Sequence, residues 1–220
     1  MAAKEDRKKI SQEDIMEAYL KVKLGRKKAG DKEAEDIKKT AYHEAGHAIV
    51  AKFTEGADPV EQVSVISRGL TGGVTVYLPE KDTKFLYKKQ MLAWLRTGVA
   101  GRVAEELFIG EISTGASNDI EQITNVAREM VMEYGMSEKL GMIKYGDMEE
   151  TKHLGYTYGG GREYSEKTAE LIDQEVKRFI DEAYEYSKKL LVEKKEYVEK
   201  LVDVLVEKEV VVREEFDALF

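Results

Sequence analysis

The 220 residues contain no cysteine, so disulfides, thiolate metal sites and a cysteine nucleophile are excluded. They contain no apolar run of the ~18 residues needed to span a bilayer. The N-terminal stretch MAAKEDRKKI lacks the apolar centre of a secretory signal. Positive charge is not in excess. The formal net charge is −8, which argues against nucleic-acid binding and against docking on an anionic membrane surface. Internal repeats and low-complexity tracts are missing, and so is the strand–helix–strand alternation of a doubly wound sheet. By these absences the chain is expected to be a soluble, globular, mainly helical protein.

What is present fits that class. The sequence is 42% hydrophobic and 35% charged, and a chain of this length buries roughly 70% of the surface it exposes when unfolded. Ser11 opens a helix pattern with Asp14 three positions on, and Gly25 can close it. Asp31 is a candidate cap for a second helix running to Glu55, with Ile37, Ala41, Ala45, Ala48 and Ile49 as its apolar stripe. After the break at Asp58-Pro59, Val60 to Ser67 and Val74, Val76 and Leu78 read as two strands. The Gly-rich turn Arg68 to Gly73 joins them into a hairpin over 60–79. Thr83 is a candidate cap for a helical region to about Phe108, interrupted at Gly98 and Gly101. Ser117 or Asn118 can cap a helix to about Tyr134. Residues 141–163 read as loop, rich in glycine at Gly155 and Gly159 to Gly161. Helices over about 165–192 and 193–207 and a short one from Arg213 make a C-terminal helical bundle. The expectation is a mainly α fold with one small β-hairpin or sheet.

Two of the three histidines lie four residues apart in the expected second helix: His43-Glu44-Ala45-Gly46-His47. Residues at that spacing share one helix face, so two imidazoles can reach one cation at zinc–nitrogen distances of about 2.0–2.1 Å. Glu44, next to the first of them, can approach a water beside the metal as general base. Gly46 costs roughly 1 kcal/mol in a helix interior, which makes sense if backbone or substrate must come close there. A catalytic zinc needs a third protein ligand. The extended motif with a downstream Gly and a third His is ruled out, because Val50 and Phe53 stand in those places. Glu105, Glu106, Asp119 and His153 stay open as the third ligand. His153 sits in a Gly-rich loop, and Asp119 sits in the first turn of a helix, where a carboxylate is also favoured by the dipole alone.

Taken together, several segments resemble the FtsH family of membrane-anchored, ATP-dependent metalloproteases. They are Thr40 to Ala48 around the histidine pair, Gly73-Val74-Thr75 to Leu78-Pro79-Glu80, Gly101-Arg102-Val103-Ala104-Glu105-Glu106, and Ser113-Thr114-Gly115-Ala116-Ser117-Asn118-Asp119-Ile120. Tyr134 to Ser137 and Leu140-Gly141 follow in the same order. The resemblance covers about residues 35–220. It departs at Ala100, where the family has Gly, and at Ile123, where Ala is common. The resemblance implies zinc held by His43, His47 and Asp119, Glu44 as base, and Glu105 in a supporting place behind the ligands. It implies polypeptide substrates, a homo-hexameric ring and an ATPase module. It also implies a membrane anchor, in the bacterial inner membrane with this domain facing the cytoplasm, or in the organelle equivalent. Gly25 and Gly30 have the glycine spacing of a phosphate loop, but Asp31 and Lys32 follow, and Asp in place of Lys would repel phosphate. The ATPase and the anchor are therefore expected outside this chain, with 1–30 as a linker and the tail of an ATPase lid, and 31–220 as the peptidase domain. The edge of the hairpin at Val74, Thr75 and Val76 is expected to bind an extended substrate by backbone hydrogen bonds. The competing expectation is a catalytically inactive assembly subunit.

Overall fold

The structure is a computed structural model that describes residues 7–28, 33–69, 71–79, 84–145 and 164–220. Asp31, Thr83, His153 and the glycines of the 141–163 loop from Gly155 onward lie outside the described residues.

Helix α1 (Gln12–Leu24) begins with a reciprocal cap: the Ser11 hydroxyl accepts from the Asp14 backbone N–H, and the Asp14 carboxylate accepts from the Ser11 N–H. Gly25 ends it with φ 95°, a conformation glycine adopts without strain. This helix docks through few groups. Leu20 is buried, Arg68 forks onto the Glu17 carboxylate, and the Lys28 N–H donates to the Ser67 carbonyl.

Helix α2 (Ala34–Phe53) carries the histidine pair. Its stripe Ala41, Ala45, Ala48 and Ile49 is fully buried and packs on α3 (Lys88–Ala104). The approach is close because Gly46 has no side chain: a Cβ there would stand 2.5 Å from the Ala100 carbonyl and 2.7 Å from the Ala104 Cβ. The α3 sequence contains Gly98 and Gly101, yet the helix is continuous through both, so the expected interruption does not occur. Each glycine instead marks a contact. Ile123 of α4 (Ser117–Met132) places its Cγ2 2.4 Å from where a Gly98 Cβ would be. A π-helical turn, Glu105–Ile109, continues α3 and ends at Gly110. A 3-10 turn, Thr114–Ala116, leads directly into α4 and is capped by Ser113, whose hydroxyl accepts from the Gly115 N–H. Ser117 and Asn118 are thus not the caps; Ser113 has taken that place one turn earlier.

Helix α5 (Glu166–Glu193), capped by Ser165, covers α3 and α4, and α6 (Lys195–Lys208) returns along α2. Strands β1 (Val60–Ser64) and β2 (Val74–Tyr77) form the expected hairpin, with Val63 opposite Thr75. A third strand, β3 (Val210–Val212), pairs antiparallel with the other side of β1, so the sheet order is β2-β1-β3. The sequence reading had found only the hairpin. Helix α7 (Arg213–Asp217) closes the chain over the sheet and buries Phe216.

Glu175 of α5 is 1% exposed and ties the segment after α4 to the bundle. Its carboxylate accepts from Arg178 Nε at 3.0 Å and Nη2 at 2.8 Å and from the Ser137 hydroxyl at 2.7 Å, with Lys139 at 3.0 Å. The Arg178 hydrogen bonds, against the opposing effect of burial, pull its pKa from 4.5 to about 2. A depressed carboxylate stabilises the fold above its unfolded pKa, and that contribution drains away as pH falls from 4.5 towards about 2. Glu175→Gln is expected to cost about 1–3 kcal/mol near neutral pH. It is also expected to flatten the pH dependence of the urea midpoint across that acid window, which denaturation of the metal-free protein at stepped pH would show.

Candidate metal centre

Helix α2 sends His43 and His47 to one face, and the first turn of α4 brings Asp119 to meet them. The His43 and His47 Nε2 atoms are 3.1 Å apart, and an Asp119 oxygen lies 3.2 Å from the first and 3.6 Å from the second. Two atoms each bonded to a tetrahedral zinc at about 2.0–2.1 Å stand about 3.3 Å apart. The three donor atoms are therefore already spaced as zinc ligands.

Their chemistry supports the same reading. His47 Nδ1 faces the Thr97 carbonyl at 2.7 Å, and His43 Nδ1 faces the Glu105 carboxylate at 2.8 Å. Both partners only accept, so both Nδ1 atoms must carry the proton. Each Nε2 then presents a lone pair, and the third atom is a carboxylate oxygen. Three acceptors converge with no donor among them, and only a cation reconciles them. A proton can serve. Burial works against charge on His43, but the hydrogen bonds it donates to the Asp119 and Glu105 carboxylates, and the Glu44 charge, overcome it and lift its pKa to about 10. The Asp119 carboxyl is held well below its usual range: burial opposes ionisation, but the two histidines outweigh it. Glu105 is likewise lowered, by His43 and the Ser113 backbone against burial. His43, His47 and Asp119 would have to be deprotonated to hold a divalent metal, so its affinity would fall with acid.

Of the other candidates for the third ligand, Glu105 stands behind His43 and also accepts from the Ser113 N–H and hydroxyl. A carboxylate on the far nitrogen of a ligating imidazole fixes its tautomer and orientation. Glu106 points elsewhere, to Tyr184 and Lys188 of α5. Among the described residues, His43, His47 and Asp119 form the one group of histidines and carboxylates spaced to hold a metal ion.

Gly101 of α3 explains how the backbone passes the site. A Cβ there would lie 2.4 Å from His47 Nε2 and 2.7 Å from His43 Nε2. The sheet closes the other side. The Thr75 hydroxyl donates to the Glu44 carboxylate at 2.8 Å, so of the three β2 residues expected to contact substrate, this one turns its side chain to Glu44. Two positions along the same strand, Tyr77 shares that face. Burial and then the charges of Glu44 and Asp119 raise its phenol pKa far above the usual value. Sequence reading missed Tyr77. The signal was its period-2 relation to Thr75. The Thr97 carbonyl had no sequence signal, because any residue has one.

An H-E-x-x-H helix whose two imidazoles meet a carboxylate from another helix has the donor set of the zinc metallopeptidase class. The profile of peptidase family M41 matches residues 32–219, and the chain belongs to that family. It is 46% identical over its whole length to the ATP-dependent zinc metalloprotease FtsH 1 of Thermomicrobium roseum, covering 34% of that protein. It is 44% identical over its whole length to FtsH 1 of a Thermoanaerobacter species, covering 36% of it. FtsH 2 of Methylacidiphilum infernorum is 46% identical over 95% of this chain and 33% of its own length. The chain thus spans about a third of the length of these curated relatives.

Proposed function

We propose that this chain is a zinc-dependent endopeptidase domain, with His43, His47 and Asp119 holding the metal and Glu44 as general base. The observation that carries this is the convergence of three acceptor atoms at zinc-ligand spacing, with both imidazoles pinned from behind. When bound, zinc supplies Lewis-acid chemistry: it polarises the scissile carbonyl and makes water ionisable near pH 7. Glu44 takes the proton of the attacking water and returns it to the departing amine. Glu105 and the Thr97 carbonyl hold the Nδ1 protons, so the nitrogen each imidazole turns to the metal is Nε2.

β2 is an edge of the sheet, and an extended polypeptide pairing with Val74, Thr75 and Val76 through backbone hydrogen bonds would be accepted with little regard to sequence. The substrates are unfolded or membrane polypeptides, delivered by an ATPase module such as the names of the relatives imply. Residues 1–30 are the linker and lid tail of that module, and 31–220 the peptidase; the family profile begins at residue 32, which supports this division. The assembly is a homo-hexameric ring, and the anchor of the full-length protein lies in the bacterial inner membrane or its organelle equivalent. Among the described residues no helix is long and apolar enough to cross a membrane. The reading as an inactive assembly subunit is not favoured, because the ligand set and Glu44 are intact.

Elemental analysis of wild type and Asp119→Ala, beside cleavage of an unstructured polypeptide, tests the proposal. About one zinc per wild-type chain is expected, with most of it and all cleavage lost in the variant. A wild type that takes up no zinc on reconstitution would overturn it.

A further inference from the structure

A general base must be held as well as present, and the Glu44 carboxylate has one hydrogen-bond donor among the described residues, the Thr75 hydroxyl at 2.8 Å. The Glu44 backbone carbonyl is 3.2 Å from the same hydroxyl, so Thr75 sits over the base and its own peptide. Glu44 itself is 6% exposed, which leaves water little part in fixing it. The strand is brought this close by Gly73. A Cβ there would lie 2.8 Å from Glu44 Oε1, 2.6 Å from the Ser64 carbonyl and 2.8 Å from the Thr40 methyl. One carboxylate oxygen is thus bonded by Thr75 while the other lies against a bare glycine.

We infer that Thr75 is the positioning residue of the general base, setting the Glu44 carboxylate through its hydroxyl from the edge strand of the sheet. The inference rests on the peptidase reading and adds to it a specific contact between β2 and the base. A hydroxyl that donates to a carboxylate fixes both its rotamer and the oxygen left free to take a proton. Strand β2 then has two parts in one reaction. Its backbone offers the free edge, and its Thr75 side chain aims the base. A side chain that served only substrate contact would have no reason to face Glu44. A valine at 75 keeps the β-branched shape and removes only the hydroxyl.

The test compares Thr75→Val, Thr75→Ser and Glu44→Gln in the zinc-loaded chain with an unstructured fluorogenic peptide. Thr75→Val is expected to keep its zinc and its KM while kcat falls by about 10- to 100-fold, the cost of a misplaced catalytic group. Thr75→Ser is expected to recover most of that loss. In the metal-free protein, the urea midpoint shifts of Thr75→Val and Glu44→Ala are expected to combine non-additively. A Thr75→Val kcat equal to wild type overturns the inference, as does a rise in KM with kcat unchanged, which would make Thr75 a substrate contact. Loss that serine does not rescue, or strictly additive midpoints, also overturns it. Wild-type turnover in Glu44→Gln would instead sink the peptidase mechanism itself, so the two failures are told apart.

Discussion

Replacing Gly101 by alanine is expected to strip the metal from this protein while leaving it folded. The new Cβ would stand 2.4 Å from His47 Nε2 and 2.7 Å from His43 Nε2 and Cε1. Clearing even 3.0 Å from the nearer ring demands about 0.6 Å of movement, against the ~0.2 Å within which metal–ligand distances must fall. The rings have nowhere cheap to go. His47 is pinned by the Thr97 carbonyl at 2.7 Å and His43 by Glu105 at 2.8 Å. Helix α3 cannot remain in contact and also retreat, because Gly46 and Ala100 are already packed backbone to backbone. Either escape separates the Nε2 atoms or turns them from Asp119. Bound zinc should fall from about one per chain to well under a tenth, an affinity loss of at least ~100-fold. Gly72→Ala is the control, since the nearest atom to its Cβ is Thr40 Oγ1 at an ordinary 3.6 Å. Elemental analysis with circular dichroism decides the matter. A folded Gly101→Ala protein with wild-type zinc would show that the imidazoles do not sit where this geometry puts them.

Glu44→Gln is expected to separate metal binding from chemistry. The substitution is isosteric, removes none of the three ligands, and leaves an amide oxygen that can still accept from Thr75. Zinc content should therefore be unchanged. The amide cannot take up the proton of the attacking water, and loss of a positioned general base costs about 10²- to 10⁴-fold in kcat. Because Glu44 is buried beside the ligands, bulk water does not replace it. Steady-state kinetics on metal-quantified protein measures this. A variant with full zinc and wild-type kcat would remove Glu44 from the mechanism.

The two predictions draw on different parts of the molecule, and their legibility in the sequence differs accordingly. The histidine pair with Glu44 was readable from residues alone, since four-residue spacing on a helix is a local property. The third ligand was not. Glu105, Glu106, Asp119 and His153 all satisfied the residue-type requirement, and only family resemblance pointed to Asp119. The structure brings Asp119 to the imidazoles across 76 residues and sends Glu106 to α5. The glycines of α3 were legible as exceptions, but their meaning was not. A glycine reads as a helix breaker until the partner that needs its empty face is known. Gly98 faces Ile123, and Gly101 faces the imidazoles. Strand β3 escaped because three valines after a helix have no local signal. They become a strand only when β1 offers them a ladder, after Glu209 turns the chain with φ 61°.

By itself the sequence determined the helical periodicity, the cap at Ser11, the hairpin, and the metal-binding character of the His43–His47 face. Each of these rests on interactions between residues a few positions apart. Tertiary structure decided which carboxylate meets the two imidazoles, which one braces His43, how β3 extends the sheet, and that Thr75 bonds Glu44. Those contacts join segments 31 to 76 residues apart or more. They depend on how α2, α3, α4 and the sheet pack, and no local pattern encodes that distance.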